Sequence, residues 1–144
     1  MLYSKYCEYV IKSLAYLSNY GDKDKYVMVR EISNSLSIPY HFLSKIFQDL
    51  TTTSWVVSKK GKNGGFSLAV DPNKLTLLDI IKWSDGIHNF NKCVLGDHTC
   101  AENCRCSLHN RCSTLRNSIT DFFDTMTVQE VAEINREPHL VNLN

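Results

Sequence analysis

The sequence predicts a mainly α fold with one small β-hairpin, and three observations predict it. Apolar residues recur at three- and four-residue steps through most of the chain. One stretch, 55–69, breaks that rhythm, with two short apolar runs flanking a basic, glycine-rich turn. Further on, Leu108, Cys112, Leu115, Ile119, Phe122 and Met126 form a seam at heptad spacing. A chain of 144 residues suits one domain with an appendage, and it can bury an ordinary core without covalent staples.

The first element is a helix over 3–20. Tyr3, Cys7, Val10, Leu14 and Leu17 share one face, and Gly21 ends it before the charged turn 22–25. Val29 to Leu36 is a second, short helix. Ser37-Ile38-Pro39 is a turn, because Pro39 fits the first position of a new helix and excludes its predecessor from helical geometry. In the third helix, Pro39 to Leu50, a step of about 100° per residue gathers Phe42, Leu43, Ile46, Phe47 and Leu50 into one arc. Tyr40, His41, Ser44, Lys45 and Gln48 fill the opposite arc. A merely solvated face mixes Glu with Lys, whereas this one holds hydrogen-bonding groups, one cation and no acid. It suits phosphates and base edges, although an ordinary exposed helix shows much the same.

Context favours the first reading. Helix, three-residue turn, helix is the helix-turn-helix layout. A hairpin placed directly after it, Trp55 to Ser58 and Phe66 to Ala69 around Lys59-Lys60-Gly61-Lys62-Asn63-Gly64-Gly65, is a wing. Lys59, Lys60 and Lys62 can approach phosphates or a minor groove, and the glycines let backbone come close. Residues 1–86 therefore read as a winged helix-turn-helix domain that contacts double-stranded DNA. The formal net charge of +1 supplies no argument for nucleic acid, so the case rests on these local groups.

The domain closes with a helix from Leu75 to Asp85, started near Asn73 and ended by Gly86. Residues 87–106 lack apolar periodicity and form a cysteine-rich loop. Ser107 to Thr125 is a long helix carrying the heptad seam, expected to pack against a second copy and in part onto its own domain. A homodimer of that kind matches a pseudo-palindromic operator with two half-sites. Residues 107–134 thus comprise a dimerisation helix and a short terminal helix, with a tail over 135–144.

Five of the six cysteines, Cys93, Cys100, Cys104, Cys106 and Cys112, crowd into this region with His98 and His109. The first twenty residues include Lys5, Glu8 and Lys12 and resemble no leader peptide. No apolar run approaches membrane-spanning length, so no membrane partner is expected. The expected compartment is the cytoplasm, where thiols stay reduced and clustered cysteines read as metal or redox sites. Cys7 and Cys112 lie on apolar faces and read as small core residues. The remaining donors permit structural zinc or an iron–sulfur cluster. The Cys-x3-Cys-x-Cys run lacks the Cys-x2-Cys knuckles of zinc ribbons, which weakens zinc. No Cys-x2-Cys redox pair and no glycine motif between strand and helix is present, which argues against an enzyme.

The runs Ile32-Ser33, Ile38-Pro39, Phe42-Leu43, Ile46 and Leu50, then Gly61 to Ala69, then Leu75-Thr76-Leu77-Leu78-Asp79-Ile80-Ile81, resemble the IscR/NsrR-type bacterial regulators of the Rrf2 family. The resemblance extends from the opening helix to about Val131, and the wing with the helix after it is its most specific part. The family often has arginine where Lys59 and Lys60 stand. Lysine is a point charge without the bidentate fork, so the departure leaves phosphate contact intact and bears on arginine-like groove reading.

The resemblance implies a transcriptional regulator, expected to repress, whose promoter affinity follows an iron–sulfur cluster sensing redox state, nitric oxide or iron–sulfur status. It implies Cys93, Cys100 and Cys106 as cluster thiolates, the third followed by Leu108 and His109. Cys104 is then a spare thiol or an alternative ligand. His109 matches the fourth ligand of the IscR-like 2Fe–2S pattern. Glu8 stands where NsrR-like members place a carboxylate from the first helix of the other subunit, and 4Fe–4S is equally open. The alternatives are a cluster-free regulator acting through thiol oxidation or a protein partner and, further off, a small zinc- or redox-active protein.

Overall fold

Ser4 starts the first helix: its hydroxyl accepts the Cys7 backbone N–H and donates to Asp85, which fixes the entry of one helix against the exit of another. The structure is a computed structural model that describes residues 2–21, 24–93 and 106–136. The elements are α1 (Lys5–Tyr20), α2 (Val29–Leu36), α3 (Tyr40–Leu50), β1 (Val56–Lys59), β2 (Gly65–Leu68), α4 (Leu77–Ser84), α5 (His88–Asn91), α6 (His109–Thr125) and α7 (Val128–Ile134). The mainly α class with one antiparallel hairpin is as the sequence predicts.

One core gathers Cys7, Val10, Leu14 and Leu17 of α1, Ile32 of α2, Leu43, Ile46, Phe47 and Leu50 of α3, and Ile80 and Ile81 of α4. The turn between α2 and α3 is tied by one residue. The Ser33 carbonyl accepts from Ile38 N–H, and the Ser33 hydroxyl donates to the Ile38 carbonyl at 2.6 Å. Ser37 takes the left-handed conformation there, with φ of 53°. Pro39 caps α3 rather than opening it, so the helix begins at Tyr40. Phe42 departs from the expected core arc and is 61% exposed. It lies roughly a quarter-turn from the centre of the arc set by Leu43, Ile46, Phe47 and Leu50, so those four seat the helix and leave Phe42 outside.

The hairpin pairs Val56 with Leu68 and Lys59 with Gly65. It docks on the helical body twice: Phe66 stacks at 4.6 Å from Phe47, and Val27 forms a bridge to Phe66. Gly65 permits this docking. Its φ is +140°, and a Cβ there would meet the Val27 carbonyl oxygen at 2.3 Å. The close approach that glycine allows at this position is thus within the fold itself.

α4 starts at Leu77, two residues later than expected. Thr76 and Asp79 form a capping box that sets the boundary. Thr127 and Glu130 do the same for α7. The two starts are stitched together, with Leu77 N–H donating to Met126 and Val128 N–H to Leu75, both at 2.9 Å. α7 returns onto α1, where Ser18 donates to Gln129 and Asn19 to the Ala132 carbonyl. α6 begins at His109, two residues after the expected start. The short α5 falls where the sequence pattern predicts only loop. Its Phe90 packs edge-on against Phe123 at 5.9 Å, and Phe123 in turn against Tyr3 at 6.0 Å. No helix among the described residues is long and apolar enough to cross a membrane.

Candidate nucleic-acid interface and thiolate loop

The turn after α2 aims α3 outward, and its exposed residues are Tyr40, His41, Phe42, Lys45 and Gln48. Of the expected face, Ser44 is only half-exposed, and its hydroxyl is buried with no hydrogen-bond partner among the described residues. It sits beside Phe47 at the edge of the core arc. Lys45 is also committed: its ammonium pairs with Asp49 at 2.8 Å. An acid therefore borders the face that the sequence suggested was free of them, one turn along on the same side. Lys45 and, less strongly, Tyr6 hold the Asp49 carboxyl below its usual value.

Lys59, Lys60 and Lys62 of the wing are all exposed. The Lys59 ammonium lies over the Tyr26 ring at 5.6 Å. Arg30, which the sequence did not single out, places its guanidinium over Tyr40 at 5.5 Å. A lone arginine at the start of a short helix carries no spacing signal, and only the fold brings it beside the wing. Met28, Arg30, Tyr40, Lys59, Gly61 and Gly64 line a groove of about 290 Å³ between them.

Cys93 follows α5 and Cys106 precedes α6; both are half-buried. His109 lies one turn from Cys106, its N–H donating to the Cys106 carbonyl at 3.0 Å. Phe90, three residues before Cys93, packs on Phe123, and Arg116 donates to the Lys92 carbonyl at 3.4 Å. Cys100, Cys104 and His98 lie outside the described residues. Among those described, no three His, Cys, Asp or Glu side chains gather closely enough to hold a metal. Glu8 on α1 is engaged by Lys12 at 2.7 Å and Lys5 at 2.8 Å, and these two cations, Lys12 first, lower its carboxyl below the usual range.

The two cysteines expected in the core separate. Cys7 is fully buried, and burial pushes its thiol up to about 11. Cys112 is only half-buried: α6 buries Phe123, and of the heptad seam it is Ile119 and Met126 that pack against the core. Leu115 and Phe122 on that seam are 62% and 52% exposed.

Comparison with known proteins gives this geometry a family. The profile of the Rrf2 family, described as iron-dependent transcriptional regulators, matches residues 3–134. A protein of Aquifex aeolicus described as an HTH-type transcriptional regulator is 36% identical over 142 residues, covering 97% of this chain and 96% of the relative. The regulator NsrR of Bacillus licheniformis is 24% identical over 144 residues and 99% of both chains. The structure of CymR, the global cysteine regulator of B. subtilis, superposes with a TM-score of 0.75 at 18% identity, over 91% of this chain and 95% of CymR. Winged-helix architecture, an outward recognition helix, a lysine-bearing wing and this match along nearly the whole chain have one reading: the chain belongs to the Rrf2 family of DNA-binding transcription regulators, of the kind that includes NsrR and IscR, and such proteins are not enzymes.

Proposed function

We propose that this regulator is a cytoplasmic homodimer whose affinity for promoter DNA is set by an iron–sulfur cluster. The thiolates assigned to the cluster are Cys93, Cys100 and Cys106. His109 is the fourth ligand, with Glu8 of the partner subunit as the alternative and Cys104 as the spare thiol. The observation that carries this reading is the bracketing of the cysteine segment: half-buried Cys93 and Cys106 stand at its two ends, the first three residues after core-packed Phe90, the second one turn before His109. Three thiolates with one imidazole or carboxylate suit such a cluster chemically. When bound, the cluster supplies a centre that oxidants, nitric oxide or iron loss destroy. A non-thiolate fourth ligand suits a sensor, since its hold on metal is protonation-sensitive.

The chain's own part is to exist in two conformers. One is favoured when the cluster thiolates are held together and the other when they are not. DNA affinity follows only if one conformer binds better than the other. The exposed seam at Leu115 and Phe122 supports a second copy on α6, which would bury it. Two copies present two recognition helices to two half-sites of a pseudo-palindromic operator.

The test is promoter retention by the wild type, Cys93→Ser and Cys106→Ser, with and without oxidant and iron limitation. The wild type is expected to change affinity and the variants to be locked. Equal responses from all three would rule the cluster out as the switch. A second reading has its own support in Cys106 and Cys112, half-buried thiols just before and within α6. In that reading thiol oxidation alone switches the protein, and the metal-free wild type responds to oxidant as fully as the reconstituted one.

A further inference from the structure

The groove between the wing and the start of α2 has a purpose that the recognition helix does not explain. We propose that it seats one sugar-phosphate strand of duplex DNA, clamped between Arg30 and Lys59. The proposal rests on the DNA-binding character of the family and adds to it a positioning residue, Arg30, outside the wing and recognition helix.

Both cations are held in place before DNA arrives. Arg30 stacks on Tyr40 at 5.5 Å and Lys59 on Tyr26 at 5.6 Å. A cation resting on an aromatic face is fixed at little cost to its charge, and a pre-positioned side chain loses less freedom on binding. Neither is paired with an acid among the described residues, whose ion pairs are Lys5–Glu8, Lys12–Glu8 and Lys45–Asp49. Glu31, next to Arg30 in sequence, is turned away to the Tyr16 hydroxyl at 3.3 Å.

The walls suit a strand better than a small anion. Gly61 and Gly64 contribute backbone alone, and a Cβ at Gly64 would lie 2.3 Å from the Lys59 carbonyl oxygen. Tyr40 lines the groove and also opens α3, so an occupant runs on directly to the exposed face bearing His41 and Gln48. A phosphodiester strand has that continuity: its phosphates meet the two cations while its bases reach α3. The uncapped start of α2 borders the same groove and adds the positive end of its dipole.

The experiment uses the full chain and a fluorescein-labelled duplex of scrambled sequence, read by anisotropy across a salt series. A scrambled probe suffices because phosphate contacts are independent of sequence. Arg30→Gln and Lys59→Gln are each expected to flatten the slope of log affinity against log salt by about 0.9, and the double variant by about twice that. Arg30→Lys should keep the slope. Tyr26→Leu should keep the slope but weaken affinity about two- to fivefold, since it removes the rest beneath Lys59 and no charge. All these positions are at or near the surface, and circular dichroism checks that the variants fold. An unchanged slope in Arg30→Gln overturns the clamp. Full affinity in Tyr26→Leu overturns its pre-positioning. A wild type that shows no salt-dependent binding would instead contradict the DNA-binding reading itself.

Discussion

The Tyr6 phenol on α1 donates a 2.8 Å hydrogen bond to the Asp49 carboxylate on α3. Asp49 also holds Lys45, so the first helix reaches the recognition helix through one polar chain. Glu8, proposed as the alternative cluster ligand, is two residues from Tyr6. Tyr6→Phe should therefore loosen α3 on its seat. The bond is partly exposed, so the expected loss is about 1 kcal/mol, a fall of about 2–4 °C in melting temperature. Calorimetry checks it, and DNA affinity should fall alongside.

The same carboxylate gives a pH dependence. Lys45 and Tyr6 hold the Asp49 pKa below its unfolded value, so the folded state is favoured while Asp49 is ionised. That contribution is fully present above the ordinary aspartate pKa, near about 4, and is lost as pH falls through the lowered folded value. The wild type should melt above Asp49→Asn at neutral pH, and the gap should close in acid. A gap that widens in acid contradicts the assignment.

Thiol reactivity should divide the cysteines. Cys7 is fully buried with its thiol pushed up to about 11, so its thiolate is scarce. Iodoacetamide on the native metal-free protein should modify Cys106 and Cys112 and spare Cys7 until denaturant is added. Peptide mass spectrometry reads the outcome, and early modification of Cys7 would contradict its core role.

Phe90 should matter more than its place in a four-residue helix suggests. Its ring is 6% exposed and packs on Phe123. Phe90→Ala should cost about 3 kcal/mol of stability in urea denaturation. It should also free the approach to Cys93, seen as faster hydrogen exchange over 88–93.

On DNA, the wing and α3 should behave differently. Lys60→Ala should weaken binding about uniformly across operator sequences, because phosphates carry no sequence. Changes at Tyr40, His41 or Phe42 should alter sequence preference, and exposed Phe42 offers an apolar contact suited to a thymine methyl. A panel of duplexes separates the two sets, and identical profiles would erase the division.

The sequence was legible where periodicity ruled. α2 spans the residues its pattern marks out, and α3 and the hairpin fall within a residue of expectation. It was less so where one partner decides. Phe42 had the right character for the core, but four neighbours already defined the buried arc. Ser44 had the right character for the surface and is half-covered by the core edge. Asp49 lay outside the expected DNA face, yet its pair with Lys45 changes that face's charge. Arg30 and Tyr26 carry no motif, because their meaning arises only when the hairpin folds back beside α2. The family was readable from the wing and the Thr76-Leu77-Leu78-Asp79 helix start. The proposed cluster ligands rest on resemblance alone, since spacing leaves zinc, iron–sulfur and reactive thiols open.

The most direct measurement is the visible absorption spectrum of the protein reconstituted anaerobically with iron and sulfide, beside Cys93→Ser and Cys106→Ser. The expected result is a coloured wild type with sulfide-to-iron absorption that both variants lose. A colourless wild type carrying stoichiometric zinc would contradict the iron–sulfur assignment.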